Sequence, residues 1–167
     1  MLILSIDQGI ANLGFSILKC KDNNIKKIIQ SGTITTTTKE PDNKRILFLY
    51  EKLESICEKE KRNIKLLTCE KINGKIMRVQ LITGILYLFS AKYNIPIIEI
   101  VPSSIKKEVC GNGRAKKEEI KKNINKIIEI KKKTTDHEID SIAIGLTGYR
   151  KIRKKEGKYY ENFKKQI

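Results

Sequence analysis

Apolar and polar positions alternate along the first part of the chain in a way that predicts three consecutive strands. Apolar residues dominate 2–6, 13–19 and 26–36, and a polar turn at 22–24 separates the second segment from the third. Short apolar runs bounded by Gly, Asn and Asp are typical of strands joined by tight turns. We therefore expect this part of the chain to form an antiparallel meander.

Helical spacing of apolar positions begins after Pro41 and predicts helices that alternate with two further strands. A threonine-rich linker at 35–38 leads into this part of the chain. The predicted helices cover 42–61, 76–93, 115–131 and 137–152, and the predicted strands cover 64–69 and 95–101. A meander followed by helix, strand, helix, strand and helices describes a ribonuclease H-like α/β architecture, in which a mixed five-stranded sheet carries helices on both faces.

The length of 167 residues fits one domain that buries a core without disulfides or structural metals. We predict a ribonuclease H-like domain over 1–152 and a basic tail over 153–167. The four cysteines form no CxxC pair and His137 is the only histidine, which argues against a structural zinc site and favours free thiols in a reducing compartment. No signal peptide or membrane span is visible in the sequence, so we expect an intracellular, cytoplasmic protein.

The charge balance points to nucleic acid as the partner. Lys and Arg number 35 against 19 Asp and Glu, which gives a formal net charge of +16, and much of the excess lies in the last third of the chain. Such a charge releases many counterions on meeting a phosphate backbone, so binding is tight, sensitive to salt and largely independent of sequence. The alternative is a genome biased toward Lys, Ile and Asn codons, which would scatter lysines over solvated faces.

Acidic side chains stand at places that this architecture brings together. Asp7 follows the first strand, Glu70 ends the fourth strand, and the last predicted helix begins with Asp136, His137 and, three residues further on, Asp140. The ends of strands one and four lie side by side in this topology, and the late helix crosses the same edge. His137 and Asp140 share one face of that helix, and Asp136 and Asp140 also share a face.

These acids fit the chemistry of phosphodiester hydrolysis. Two metal ions about 3.5–4 Å apart need hard oxygen ligands that converge from different elements of structure. Each acid also has a plain structural interpretation, because Asp7 can close a β-turn, Glu70 can be a solvated strand end, and acids at 136–140 can complement a helix dipole. Their appearance together, in this order, favours the catalytic interpretation.

The chain resembles the RuvC-type Holliday-junction resolvases, and within them the poxvirus-type branch, from Leu2 to about Gly148. The resemblance is most specific after the fifth predicted strand. A proline stands there, followed four residues later by a lysine and then by a Gly-x-Gly turn that leads into a helix beginning with lysine. This segment is similar to the one that binds junction phosphates in the family. The matching segments are Ser5-Ile6-Asp7-Gln8-Gly9 with Asn12-Leu13-Gly14, Cys69-Glu70, Val101-Pro102-Ser103-Ser104-Ile105-Lys106-Lys107 with Gly111-Asn112-Gly113-Arg114-Ala115-Lys116-Lys117, and His137-Glu138-Ile139-Asp140-Ser141-Ile142-Ala143-Ile144-Gly145.

The resemblance implies a site with two Mg²⁺ or Mn²⁺ ions. Its implied carboxylate ligands are Asp7, Glu70 and Asp140. Many members carry a further Asp three residues before the last ligand; this chain has His137 there, which is an acceptable ligand or base, and Asp136 beside it is the alternative. Lys106 matches the lysine that approaches the active site, and the implied DNA-binding residues are Lys106, Lys107, Arg114, Lys116 and Lys117.

The sequence therefore predicts a homodimeric, metal-dependent endonuclease that resolves four-way DNA junctions by symmetric paired nicks, leaving 5′-phosphate and 3′-hydroxyl ends. The nearly all-apolar helix at 76–93 is expected to be core and to supply the dimer interface.

Two alternatives stay open: a non-catalytic basic module that binds junctions or RNA, and a related nuclease acting on RNA–DNA hybrids or flaps. An actin-like or sugar-kinase ATPase needs a duplicated domain, for which the chain has no room. The poxvirus-like motifs, together with the bias toward Lys, Ile and Asn, suggest a viral or phage origin, and the expected location is a viral replication site in the cytoplasm.

Overall fold

The strands of this protein form one mixed sheet in a computed structural model that describes residues 1–72, 77–131 and 133–154. Their order across the sheet is β3-β2-β1-β4-β5; β1 and β2 pair antiparallel, as do β2 and β3, whereas β1, β4 and β5 run parallel. The predicted mixed five-stranded sheet is therefore confirmed. The strands are β1 (Leu2–Asp7), β2 (Asn12–Lys21), β3 (Asn24–Thr35), β4 (Ile64–Glu70) and β5 (Ile97–Ile100).

Helices cover both faces of the sheet, as predicted. One apolar cluster joins the first two helices to one face, and a second cluster joins the last three helices to the other face. Because β1 lies between the two layers, its side chains alternate between them, and the strand is apolar from Leu2 to Ile6 apart from Ser5. The helices are α1 (Asp42–Cys57), α2 (Met77–Tyr93), α3 (Pro102–Cys110), α4 (Lys117–Ile127) and α5 (Asp136–Lys154).

Helix α3 is not among the predicted helices, which leave 102–114 without an assigned element. Pro102 suits the start of the helix, because a backbone N–H at the first helical position would have no acceptor within the helix. Gly111 ends the helix with a φ of 75°. Only Ile105 and Val109 bury their side chains, so nine residues carry too few apolar positions to show a helical period. α1 and α4 also end four residues earlier than predicted, and residue 76 of the predicted second helix lies outside the described residues.

Helix α5 crosses the sheet at very short range. Gly145 makes this possible, because a Cβ there would lie 2.6 Å from Leu18 Cδ1 and 3.0 Å from Ser5 Cβ. The Ser5 hydroxyl, wholly buried on β1, donates to the carbonyl oxygen of Ser141 at 2.5 Å. The helix is thus fixed across β1 with its first turns at the strand end that carries Asp7. Among the described residues, no helix is long and apolar enough to cross a membrane.

Candidate active site

Three carboxylates converge at the edge of the sheet where β1 and β4 end. The last pair in the parallel β1–β4 ladder is Ile6 with Cys69, so Asp7 and Glu70 leave neighbouring strands at the same level. Asp140 reaches them from the second turn of α5. All three line one pocket of about 320 Å³, together with Lys106, Lys117, His137, Pro102, Ile105, Ile120 and Ile144.

Burial and mutual repulsion raise the pKa of two of these carboxyls. The pKa of Glu70 is raised mainly by burial, then by the charges of Asp7 and Asp140, and Lys106 opposes the rise. The pKa of Asp140 is raised by burial and then by Asp7, while Lys117, whose Nζ lies 3.6 Å from Asp140 Oδ2, opposes it. The cluster therefore holds more negative charge than its two lysines neutralise, and a divalent cation would relieve that repulsion.

We expect Glu70→Gln to make the protein more stable at pH 7 when divalent metal is removed with EDTA. A carboxyl with a raised pKa in the folded state is harder to ionise there than in the unfolded chain, so stability falls as pH rises from its ordinary value of 4.5 through the raised one. The gain should vanish below that ordinary value, where the carboxyl is protonated in both states. Thermal unfolding of both proteins across pH checks this. If Glu70→Gln is less stable than wild type at pH 7 and the stability difference between the two proteins does not change with pH, charge repulsion at Glu70 is not the cause.

His137 lies in the pocket and contacts the first carboxylate directly. Its Nδ1 is 2.7 Å from Asp7 Oδ2, and its side chain is 41% exposed. Asp136, its neighbour in the same turn, is exposed and does not line the pocket. Of the two candidates for the fourth ligand, the structure thus brings only His137 to the three carboxylates.

The residues of the pocket fit divalent metal ions in their chemistry. Carboxylate oxygens suit Mg²⁺ and Mn²⁺, and a neutral imidazole is a further acceptable donor. Among the described residues, no three His, Cys, Asp or Glu side chains stand close enough together to complete a metal site in this structure. The side chains instead pair singly, Asp7 with His137 and Asp140 with Lys117.

Contacts from the edge strand β3 hold the first turn of α5 in place. The Thr135 hydroxyl accepts the Glu138 backbone N–H at 3.2 Å and shares a 2.6 Å hydrogen bond with the Thr33 hydroxyl. Ser31 donates a hydrogen bond to the Glu138 carboxylate. Gly14 on β2 completes the fit, because a Cβ there would collide with the His137 backbone carbonyl. Sequence reasoning missed Ser31 and Thr33, since only tertiary structure brings β3 to this helix.

The basic segment divides into two parts. Lys106 on α3 and Lys117 at the start of α4 line the pocket, whereas Lys107, Arg114 and Lys116 are exposed outside it. The exposed residues surround the turn at 111–116, in which the Lys116 N–H donates to Glu119 Oε2 at 2.8 Å. The predicted DNA-binding residues therefore form one set inside the site and one on the adjoining surface.

Comparisons with known proteins agree with this arrangement. The sequence profile of the family "Crossover junction endodeoxyribonuclease RuvC" matches residues 3–148. The RuvC of Petrotoga mobilis is 32% identical over 147 residues, covering 86% of this chain and 90% of its own length. The RuvC of Brachyspira hyodysenteriae is 31% identical over 149 residues, covering 87% and 92%.

Solved structures confirm the ribonuclease H-like fold. Thermus thermophilus RuvC in complex with a Holliday junction substrate superposes with a TM-score of 0.84 at 20% identity, covering 93% of this chain and 96% of that one. The yeast mitochondrial Holliday junction resolvase Ydc2 gives a TM-score of 0.61 at 17% identity, covering 99% and 86%. At these sequence identities the structural similarity shows only the fold, whereas the sequence matches show the family. This chain belongs to the RuvC family of crossover junction endodeoxyribonucleases.

Proposed function

We propose that this chain resolves four-way (Holliday) DNA junctions by metal-dependent nicking at the pocket between β1, β4 and α5. Membership in the family makes it a junction endodeoxyribonuclease. The observation that carries the assignment of the site is the convergence of Asp7, Glu70, His137 and Asp140 on one pocket whose other charged side chains are lysines. Acids for metal ions and lysines for phosphate are what phosphodiester hydrolysis requires.

In this proposal Asp7, Glu70, Asp140 and His137 hold two Mg²⁺ or Mn²⁺ ions. Bound metal would supply an acidified water molecule and charge stabilisation for the leaving 3′ oxygen. Lys106 and Lys117 favour the charged forms of Glu70 and Asp140 respectively, because each opposes the rise that burial causes in the pKa of its carboxyl. Both lysines stand where a phosphate entering the pocket would meet them.

Cleavage of labelled substrates tests the function. A four-way DNA junction, a linear duplex and an RNA–DNA hybrid are each incubated with wild type and Asp7→Asn in Mg²⁺ or Mn²⁺. We expect symmetric paired nicks in the junction alone, lost in the variant. Cleavage of the hybrid instead would reassign the substrate to the related nuclease class, and tight junction binding without cutting in either metal would favour the non-catalytic module.

The exposed basic residues are proposed to hold the phosphate backbone of the junction arms. We expect Lys107→Gln to weaken junction binding and to lower the slope of log affinity against log salt by about 1, because one phosphate contact is lost. Cleavage at saturating protein should keep the wild-type rate, since Lys107 lies outside the pocket. Titrations at several salt concentrations measure this, with exposed Lys65 at the other end of β4 as the control for Lys→Gln. If wild type, Lys107→Gln and Lys65→Gln give the same slope of log affinity against log salt, Lys107 does not contact the phosphate backbone.

We further propose that the enzyme is a homodimer that pairs through α2. Met77, Leu81 and Leu88 are 73%, 41% and 58% exposed, although each is a large apolar side chain. With Gly84 they follow one another at intervals of four, three and four residues, which is the spacing of a helix–helix seam. A Cβ at Gly84 would meet nothing within 4 Å, so a second helix could approach closely there. A two-fold dimer matches the two-fold symmetry of a junction that must be cut on two opposed strands.

The finer assignments belong to the same proposal. The motifs at 5–14, 69–70, 101–117 and 137–145 carry the proposed poxvirus-type branch, and a viral replication site in the cytoplasm would follow from that branch. The boundary between a nuclease domain at 1–152 and a basic tail at 153–167 stays a prediction, because α5 continues to Lys154 and residues 155–167 lie outside the described ones.

A further inference from the structure

Gln8, the residue after the first candidate ligand, is nine-tenths buried and makes three hydrogen bonds with its side-chain amide. Its Oε1 accepts the backbone N–H of Glu70 at 2.8 Å, and its Nε2 donates to the backbone carbonyl of Glu70 at 3.0 Å. The same Nε2 also lies 3.0 Å from the Thr83 hydroxyl oxygen on α2. One side chain thus holds both backbone polar groups of Glu70.

The hydrogen bonds from Gln8 replace backbone hydrogen bonds that β1 does not make to Glu70. The β1–β4 ladder ends with Ile6 and Cys69, while β4 still pairs with β5 through Glu70 and Ile100. The backbone groups of Glu70 that face β1 would therefore have no strand partner. A carboxamide carries the same donor and acceptor as a peptide group, so Gln8 extends the parallel ladder by one residue.

The amide also connects the site to helix α2. Thr83 Oγ1 accepts from Gln8 and donates in turn to the Val79 carbonyl at 3.3 Å within the helix. Gln8 therefore joins three elements at one point: the end of β1, the end of β4 and the second turn of α2. Glu70 has little freedom to shift relative to Asp7 while these bonds are intact.

We infer that Gln8 is a positioning residue, whose carboxamide fixes the backbone of Glu70 so that the Glu70 carboxylate faces Asp7 and Asp140. The inference rests on the proposed function, because it takes Glu70 to be a metal ligand. Groups that orient metal ligands commonly change metal affinity or activity by about 10- to 100-fold when they are replaced. Gln8 acts through Glu70 and need not touch DNA or metal itself.

Gln8→Met tests the inference, because Met keeps the length of the side chain and loses all three hydrogen bonds. We expect the dissociation constant for Mn²⁺, measured by electron paramagnetic resonance in the absence of DNA, to rise about tenfold or more. The maximal rate of junction cleavage should fall by a similar factor, whereas junction affinity in EDTA should match wild type. Gln30→Met, the same change at an exposed position of β3, is the control and should leave every value unchanged.

The readouts separate this inference from the proposed function. If wild type binds no Mn²⁺ and cuts no junction, the proposed function fails. If wild type does both and folded Gln8→Met binds Mn²⁺ within twofold of wild type, the positioning role is wrong. If circular dichroism shows that Gln8→Met does not fold, Gln8→Asn replaces it, because the Asn side chain is one methylene too short for its amide to reach Glu70. A raised dissociation constant for Mn²⁺ then supports the positioning role, and a value within twofold of wild type contradicts it.

Discussion

A chain carrying Asp140→Asn is expected to cut four-way junctions at least about a thousandfold more slowly than wild type, while binding them as tightly or more tightly. Asn has nearly the same shape, so the change removes a hard anionic ligand and little else. It also removes a negative charge from the pocket and releases Lys117 from its ion pair at 3.6 Å. Both effects favour a phosphate in the pocket. Single-turnover cleavage with Mg²⁺ or Mn²⁺ and binding titrations in EDTA measure the two quantities separately.

Asp136→Asn provides a matched control for this prediction. It makes the same chemical change in the first turn of the same helix, at an exposed carboxylate that does not line the pocket. We expect its cleavage rate to stay within about twofold of wild type, as is usual for surface substitutions. A loss equal to that of Asp140→Asn would make Asp136 the fourth ligand instead of His137. A wild-type rate in Asp140→Asn would refute the proposed site itself.

The acids of the site could be found in the sequence because hydrophobic runs end where strands end. β1 and β4 are mostly apolar, so Asp7 and Glu70 stand out as the acidic residues at their ends, and the chain topology makes those ends neighbours. The start of α5 could be found in the same way, since its first turn is acidic and the turns that follow are buried. Pattern and topology together therefore bring Asp7, Glu70 and Asp140 to one edge of the sheet, whereas the choice between Asp136 and His137 stays open in the sequence.

The contacts that position these acids could not be found in this way. Gln8 reads as an ordinary polar turn residue, because its role depends on where the β1–β4 ladder stops. Ser31 and Thr33 bond to residues more than 100 positions away in the chain. The side of α2 that stays uncovered was hidden as well, since a helix that is apolar all round shows no preferred face. Such features follow from tertiary register, which single-sequence patterns do not encode.

Leu88→Glu is expected to separate the proposed dimer and to uncouple the two nicks. A carboxylate within an apolar helix–helix seam would be buried without a partner, so the dissociation constant of the dimer should rise by about thirtyfold or more. Sedimentation equilibrium measures this directly. A supercoiled plasmid with an extruded cruciform reports the coupling, because two nicks within one complex give linear DNA and a single nick gives an open circle. The variant should shift the product from linear to open circle.

The fold of the variant should survive, because Leu88 is 58% exposed and lies outside both apolar clusters. Ile29→Glu is the control, since it places the same charge at another exposed apolar residue, on the edge strand β3. It should leave both the mass and the product ratio at wild-type values. If Leu88→Glu sediments as wild type does, the α2 seam is not the interface. If wild type itself is a monomer that still linearises the plasmid, paired nicking needs no dimer, and the exposed stripe of α2 requires another explanation.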